Sequence, residues 1–150
     1  EPYYYAAFGY VMMATREQAM ATKDVYLDEA YKNVSKAAAI KPNDAEIISL
    51  EGFVHMIRIT VDPASRGQQY SALGSQAFGK ALSIDGENPR ALALMAQMEF
   101  GTAQFLGSPT TEACATNDAA LQKFATFKPG NPLAPQWGRA MALELKSKCK

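Results

Sequence analysis

The apolar positions between residues 70 and 84 repeat with the period of an α-helix. The side chains that form this pattern are Tyr70, Leu73, Ala77, Phe78, Ala81 and Leu82. Such a set covers one face of a helix with 3.6 residues per turn. Alanine is abundant and period-two alternation is absent, so β-strands are a poor interpretation. We therefore predict an all-α fold.

The pattern belongs to a repeat. Three turn segments open with a large apolar residue and lie 44 and 43 residues apart: Ile40, Ile84 and Phe127. Four positions into each segment stands a residue type that caps helix N-termini: Asp44, Asn88 and Asn131. Helical patterns precede and follow each turn, so we expect units of helix A, loop, helix B and turn. Loops at 60–69 and 107–118 would account for the length of the period, with an earlier start of the following helix at Asp62-Pro63 or Ser108-Pro109 as the alternative.

The third turn, "FKPGNPLAPQWG" from Phe127 to Gly138, holds three prolines and the single tryptophan of the chain. In register with the other turns, Asn131 caps a final helix and Pro132 begins it, because proline is well tolerated at the first helical position. This helix is expected from about Leu133. Trp137 is then predicted to be a core anchor at the end of the stack.

These helix pairs resemble the tetratricopeptide repeat. The matching residues are Gly52 and Ala96 in helix A, and in helix B and its turn Val34, Ala37 and Pro42, Phe78, Ala81 and Gly86, and Leu121, Phe124 and Pro129. The resemblance implies one domain over residues 1–150, an α-α superhelix of about three hairpins with a C-terminal capping helix. The chain is also similar to small exported tetratricopeptide proteins of Gram-negative bacteria. We therefore expect a periplasmic or secreted location, with the cytoplasm as the alternative.

The resemblance further implies a non-enzymatic scaffold that binds a protein or peptide on its concave face. The family's groove positions, carried over to this sequence, are Glu46, Ser49, Phe53, Met56, Arg90, Gln97 and Phe100. Only Arg90 would suit the family's clamp for a terminal carboxylate. An extended or helical peptide with apolar anchors is the better expectation.

The first helix is aromatic on several sides: Tyr3, Tyr4, Tyr5 and Phe8. A terminal repeat normally has a polar outer face. We expect these rings to be covered by an upstream segment, a second copy of the chain or a partner. A ligand surface and plain core packing are the alternatives. The alternative function is therefore a structural or assembly component of a bacterial envelope that docks through this helix.

Two cysteines, Cys114 and Cys149, fall near helix ends that should lie close together in an antiparallel stack. A disulfide between them would hold the last helix and would indicate a compartment outside the cytoplasm. Two free thiols are the alternative.

Composition and charge narrow the function. Lys plus Arg and Asp plus Glu both number 15, so the basic excess typical of nucleic-acid binding is missing. No apolar run approaches the roughly 20 residues that span a bilayer. The chain begins at Glu1 rather than methionine, so we expect a processed form from which any targeting segment has been removed.

Catalytic chemistry has little support in the sequence. His55 is the only histidine, with Glu51 four positions earlier, and no nucleophile motif surrounds it. We expect it to be packed or to face the groove. Phosphate-binding loops, nucleophile elbows and zinc motifs are all missing, so we expect neither an enzyme nor a cofactor or metal.

Overall fold

The computed structural model describes residues 2–149, and every regular element in that range is an α-helix. The helices are α1 (Pro2–Arg16), α2 (Met20–Ile40), α3 (Ala45–Ile59), α4 (Pro63–Ile84), α5 (Pro89–Leu106), α6 (Thr111–Thr126) and α7 (Arg139–Lys148). The all-α prediction is confirmed.

Short connections fold the first six helices into three hairpins, α1 with α2, α3 with α4 and α5 with α6. The first helices of the hairpins also contact one another in order, α1 with α3 and α3 with α5. Helix α7 continues this row by packing on α5 and α6. Three hairpins and a C-terminal helix are therefore present, as predicted.

Two of the three predicted caps begin helices. The Asp44 carboxylate accepts hydrogen bonds from the backbone N–H groups of Glu46 and Ile47 at 2.9 and 3.1 Å, at the start of α3. The Asn88 amide oxygen accepts from the backbone N–H of Ala91 at 2.9 Å, at the start of α5. Each bond satisfies a donor that a helix N-terminus otherwise leaves unpaired.

The long repeat period has a different origin from the one predicted. The connection inside the second unit spans only residues 60–62, because Asp62 caps α4 and Pro63 opens it. In the third unit it spans residues 107–110. Most of the two expected loops is thus helical, and the extra length lies in helices such as α2 and α4, of 21 and 22 residues.

The prediction that the last helix starts near Leu133 is wrong. Helix α7 begins at Arg139. Asn131 accepts a hydrogen bond from the backbone N–H of Leu133 at 2.8 Å, but that bond closes a local turn. Pro135 disfavours helical geometry at the residue before it, and Gly138 has a φ of +110°. Residues 127–138, here named the C-terminal segment, therefore remain irregular.

The main core lies where the α1–α2 and α3–α4 hairpins meet, around Leu27, Val34, Leu50 and Phe78. Gly52 permits the closest approach, because a Cβ atom there would lie 2.5 Å from the Phe78 ring. This glycine is one of the residues that carried the tetratricopeptide resemblance. Its physical role is to let α3 and α4 pack closely.

Candidate functional site

The C-terminal segment lies against the helices that were expected to line an open groove. The indole of Trp137 stacks on Phe8 of α1 and Phe53 of α3, with ring centroids 4.8 and 5.7 Å away. Its Nε1–H donates to the Tyr4 hydroxyl at 2.9 Å. Burial raises the pKa of Tyr4 well above its usual range, so this hydroxyl stays neutral.

Arg90 of α5 contacts the same segment through its guanidinium group. Its side chain is fully buried and donates two hydrogen bonds to the Glu46 carboxylate, at 2.7 and 2.8 Å, and one to the Trp137 carbonyl at 3.0 Å. Its guanidinium carbon also lies 4.5 Å from the centre of the Phe127 ring. A buried guanidinium needs such a complete set of partners. Arg90 and Glu46 therefore anchor the chain's own segment.

Three more of the predicted groove residues are also engaged within the chain. The Ser49 hydroxyl is buried and donates to the Ala45 carbonyl at 2.7 Å. Phe100 belongs to a core cluster with α6 and α7, and Gln97 donates to the Met141 carbonyl at 3.2 Å. Peptide binding on this face stays a prediction, and it would require displacement of the C-terminal segment.

The aromatic first helix is partly covered in the same way. Tyr4 and Phe8 contact Trp137, and the Tyr5 hydroxyl donates to the Leu133 carbonyl. The Lys36 ammonium lies 5.4 Å from the centre of the Tyr3 ring. These contacts account for much of the aromatic surface without a second molecule. A dimer, an upstream segment or envelope docking through this helix stays a prediction.

An open apolar cleft lies elsewhere, between the end of α3, the start of α4 and the end of α5. This α3–α5 cleft has a volume of about 740 Å³. Its walls are formed by Met56, Ile57, Ile59, Thr60, Pro63, Ala64, Gly67, Gln68, Ser71, Gln97, Met98, Gly101, Thr102, Phe105 and Leu106. Of the predicted groove residues, Met56 and Gln97 reach it.

Phe105 and Leu106 are the most informative of the cleft residues, because they are 77% and 67% exposed. Such exposure of adjacent large apolar side chains at a concave surface is typical of a binding site. The sequence did not single them out, because the groove positions carried over from the family resemblance end at Phe100. The available signal was their place at the last turn, just before Gly107, whose φ of +68° ends the helix.

An ion-pair network involves residues that neighbour cleft residues in sequence but do not form the cleft walls. Arg58 of α3 and Arg66 of α4 share the Asp24 carboxylate of α2, at distances of 2.6 to 3.1 Å in a group that also includes Asp28. The hydrogen bond from Arg66 is the main reason why the pKa of Asp24 is lowered. The network ties the ends of three helices together beside the cleft.

A smaller pocket of about 440 Å³ adjoins the cleft and shares with it Ser71, Met98, Thr102 and Leu106. Glu99 lines this pocket, and one of its carboxylate oxygens is buried without a hydrogen-bond partner. Burial raises the pKa of Glu99. Glu99 is thus a partly buried carboxylate that borders a cavity.

No family model and no curated protein matches the chain. A solved structure is similar to it over nearly the whole length: the HusA haemophore from Porphyromonas gingivalis, with a TM-score of 0.85. The sequences are 30% identical, and the match covers 99% of this chain and 73% of the HusA chain. This chain belongs to the HusA haemophore family.

Membership of the HusA family agrees with the general prediction of a small helical binding protein. Membership of the tetratricopeptide family stays a prediction, carried by the residue resemblance and the three hairpins. No helix within residues 2–149 is long and apolar enough to cross a membrane.

The disulfide predicted in this HusA-family chain is present. Cys114 of α6 and Cys149, just after α7, are bonded, with their Cα atoms 6.0 Å apart. The bond lies beside a small core cluster of Ala96, Phe100 and Leu145. It holds the last helix of the row against the third hairpin.

His55 lies apart from the cleft walls. Its ring packs between Tyr31 and Tyr70, with centroids 5.9 Å from each, and its Nε2 is 4.0 Å from the Glu51 carboxylate. Burial lowers the pKa of His55 and raises that of Glu51. No metal-binding cluster of His, Cys, Asp or Glu was found among the described residues. The packing of His55 matches the prediction of a packed histidine.

Proposed function

We propose that this protein is a non-enzymatic haem-binding protein that holds a haem-class tetrapyrrole in the α3–α5 cleft. The observation that carries the proposal is the cleft itself, with Phe105 and Leu106 exposed at its wall in a chain of the HusA family. The proposal keeps the predicted non-enzymatic binding role and replaces the predicted peptide ligand with a small molecule.

The size and lining of the cleft suit a flat apolar ring. Its volume of about 740 Å³ lies within the range of roughly 300–1,000 Å³ found for small-molecule sites. Ile57, Ile59, Phe105 and Leu106 offer apolar contact area, and burial of such area gives roughly 25 cal/mol per Å². Ring faces would thus be held mainly by apolar packing.

The residues that border the cleft also limit the role of the iron. Its described walls contain no His, Cys or Tyr, and the thioethers of Met56 and Met98 are the soft donors present. His55 packs between two tyrosines outside the walls. A ring without iron is therefore expected to bind as well, through the same apolar contacts.

The disulfide supports a compartment outside the cytoplasm. Structural disulfides persist in oxidising environments and are rare in the cytosol. The bond between Cys114 and Cys149 fits the expected periplasmic or secreted location. The same bond would stabilise the fold of a haem carrier that works outside the cell.

A titration tests the proposal. We expect haem and protoporphyrin IX to bind the wild-type protein with a shift of their main absorption band. Replacement of Phe105 by serine should weaken binding about tenfold or more, because an exposed aromatic wall is removed. The matched control is Ile40→Ser, another exposed large apolar residue, at the end of α2 and outside the cleft walls. Equal affinities of wild type and Phe105→Ser would contradict the assignment of the cleft.

A further inference from the structure

Lys23 is a buried cation beside the cleft. Its side chain belongs to α2, and the residue is only 9% exposed. The ammonium Nζ donates a hydrogen bond to the Thr60 hydroxyl at 3.0 Å. That hydroxyl in turn donates to the Ile57 carbonyl at 2.6 Å. Lys23 is thus held by neutral oxygen rather than by a carboxylate.

The carboxylates of Asp24 and Asp28 are engaged by arginines, while the exposed Asp62 carboxylate caps α4 and accepts from Ser65. Asp24 accepts from Arg58 at 3.1 Å and from Arg66 at 2.8 and 2.9 Å. Asp28 accepts from Arg58 at 2.6 Å. Among residues 2–149, no carboxylate oxygen lies within 4.0 Å of the Lys23 ammonium.

Lys23 is largely buried as a residue, but its hydrogen bond to Thr60 is only partly buried and Thr60 itself is exposed. The ammonium therefore stays within reach of a ligand. Lysine carries three donors, and Lys23 uses one of them on Thr60. The other two are free to serve an incoming anion. An ammonium that has a hydroxyl partner and no carboxylate partner can bind an anionic group of a ligand.

Thr60 connects this cation to the proposed binding site. Its side chain forms part of the wall of the α3–α5 cleft, beside Ile57 and Pro63. The Lys23 ammonium therefore lies one hydrogen bond behind the wall, at the end where α3 stops and α4 starts. The opposite wall, at Phe105 and Leu106, is apolar.

We propose that Lys23, together with Thr60, forms the carboxylate-recognition end of the cleft. The apolar walls take the ring of the ligand, and the ammonium takes an acidic substituent at its edge. This inference rests on the proposed function and sharpens it, since the preferred ligand is an acid rather than any apolar ring of the right size.

A pair of ligands with the same ring tests this inference. Protoporphyrin IX carries two carboxylates, and its dimethyl ester carries none. We expect the wild-type protein to bind the diacid about tenfold more tightly than the ester, because a buried charged hydrogen bond is lost with the ester. In Lys23→Met the diacid should weaken until the two affinities agree within about twofold, while the affinity for the ester stays the same.

Two control variants accompany the titrations. Lys32→Met removes an exposed lysine of the same helix and should leave the preference for the diacid unchanged. Lys23→Gln provides a second neutral variant with a polar side chain, and circular dichroism checks that each variant is folded. Both Lys23 variants should lose the preference.

Each other outcome overturns a defined part of the argument. Equal binding of diacid and ester by the wild type would overturn the role of Lys23 and leave the haem-binding proposal standing. A preference that survives in both Lys23 variants would also overturn it. Binding of neither ligand to the wild type would overturn the proposed function itself, and the role of Lys23 with it.

Discussion

At the scale of single residues, Trp137 carries more of the structure than its half-exposed position suggests. Its indole joins Phe8 and Phe53, and its N–H reaches the buried Tyr4 hydroxyl. Trp137 was predicted as a core anchor at the end of the stack, on a helix. In the structure it anchors an irregular segment against α1 and α3, in the first two hairpins. Its position on an irregular segment means that side-chain contacts, and not helical hydrogen bonds, hold the segment in place.

Replacement of Trp137 by alanine should lower the free energy of unfolding by about 3 kcal/mol, since a large aromatic contact is lost. Trp137→Phe keeps the stacking and loses one hydrogen bond, so a loss of about 1 kcal/mol is expected. Urea unfolding followed by circular dichroism measures both. Unchanged stability in Trp137→Ala would show that the segment is held by Arg90 alone.

At the scale of elements, the outcome for each turn follows from its prolines and caps. Asp44 is followed by no proline in the first turn, and Asn88 only by Pro89 at the first helical position, where proline is tolerated, so both begin helices. Asn131 has the same register, but Pro135 and Gly138 prevent helix before Arg139. The register of the repeat was thus predictable. The start of the last helix was not, because Pro135 disfavours the helix that Asn131 and Pro132 would otherwise begin.

Asp24 joins three elements, so its replacement tests how far the ends of α2, α3 and α4 depend on one another. Asp24→Asn should cost about 1–2 kcal/mol at pH 7, because two arginines lose a charged partner at a half-buried site. Asp28→Asn is the matched control, since Asp28 is 70% exposed and accepts only from Arg58. It should cost much less.

The pKa of Asp24 predicts how the effect of Asp24→Asn on stability changes with pH. The pKa of Asp24 is lowered from its usual 3.8 in the folded protein, chiefly by the hydrogen bond from Arg66. Its contribution is therefore complete above pH 3.8 and is lost as the pH falls through the lowered pKa. The difference between wild type and Asp24→Asn, measured by urea unfolding, should shrink below that pH. A constant difference down to pH 2 would contradict this role.

At the scale of the whole molecule, the row of helices α1, α3, α5 and α7 forms a face that the chain itself covers. Glu46, Phe53 and Arg90 were predicted from the family resemblance to bind a peptide, which stays a prediction. In the structure Phe53 and Arg90 contact Trp137 of the C-terminal segment, and Glu46 holds Arg90. The cleft could not be predicted, because it depends on how the ends of three helices diverge. Helical periodicity does not encode that divergence.

The disulfide joins α7, the last helix of this row, to α6 of the third hairpin. Cys114 and Cys149 are 35 residues apart, and a closed loop of that size is worth about 4 kcal/mol in the chain-entropy model. The Cys114→Ser, Cys149→Ser double variant should therefore unfold at a lower urea concentration. We expect its free energy of unfolding to be about 2–4 kcal/mol lower. Helix α7 is short, with ten residues, so its amides should lose hydrogen-exchange protection first. Reduced wild type is the control and should match the variant. If the variant equals the oxidised wild type in stability, packing of Ala142 and Leu145 would be enough to hold α7, and the disulfide would have no structural role.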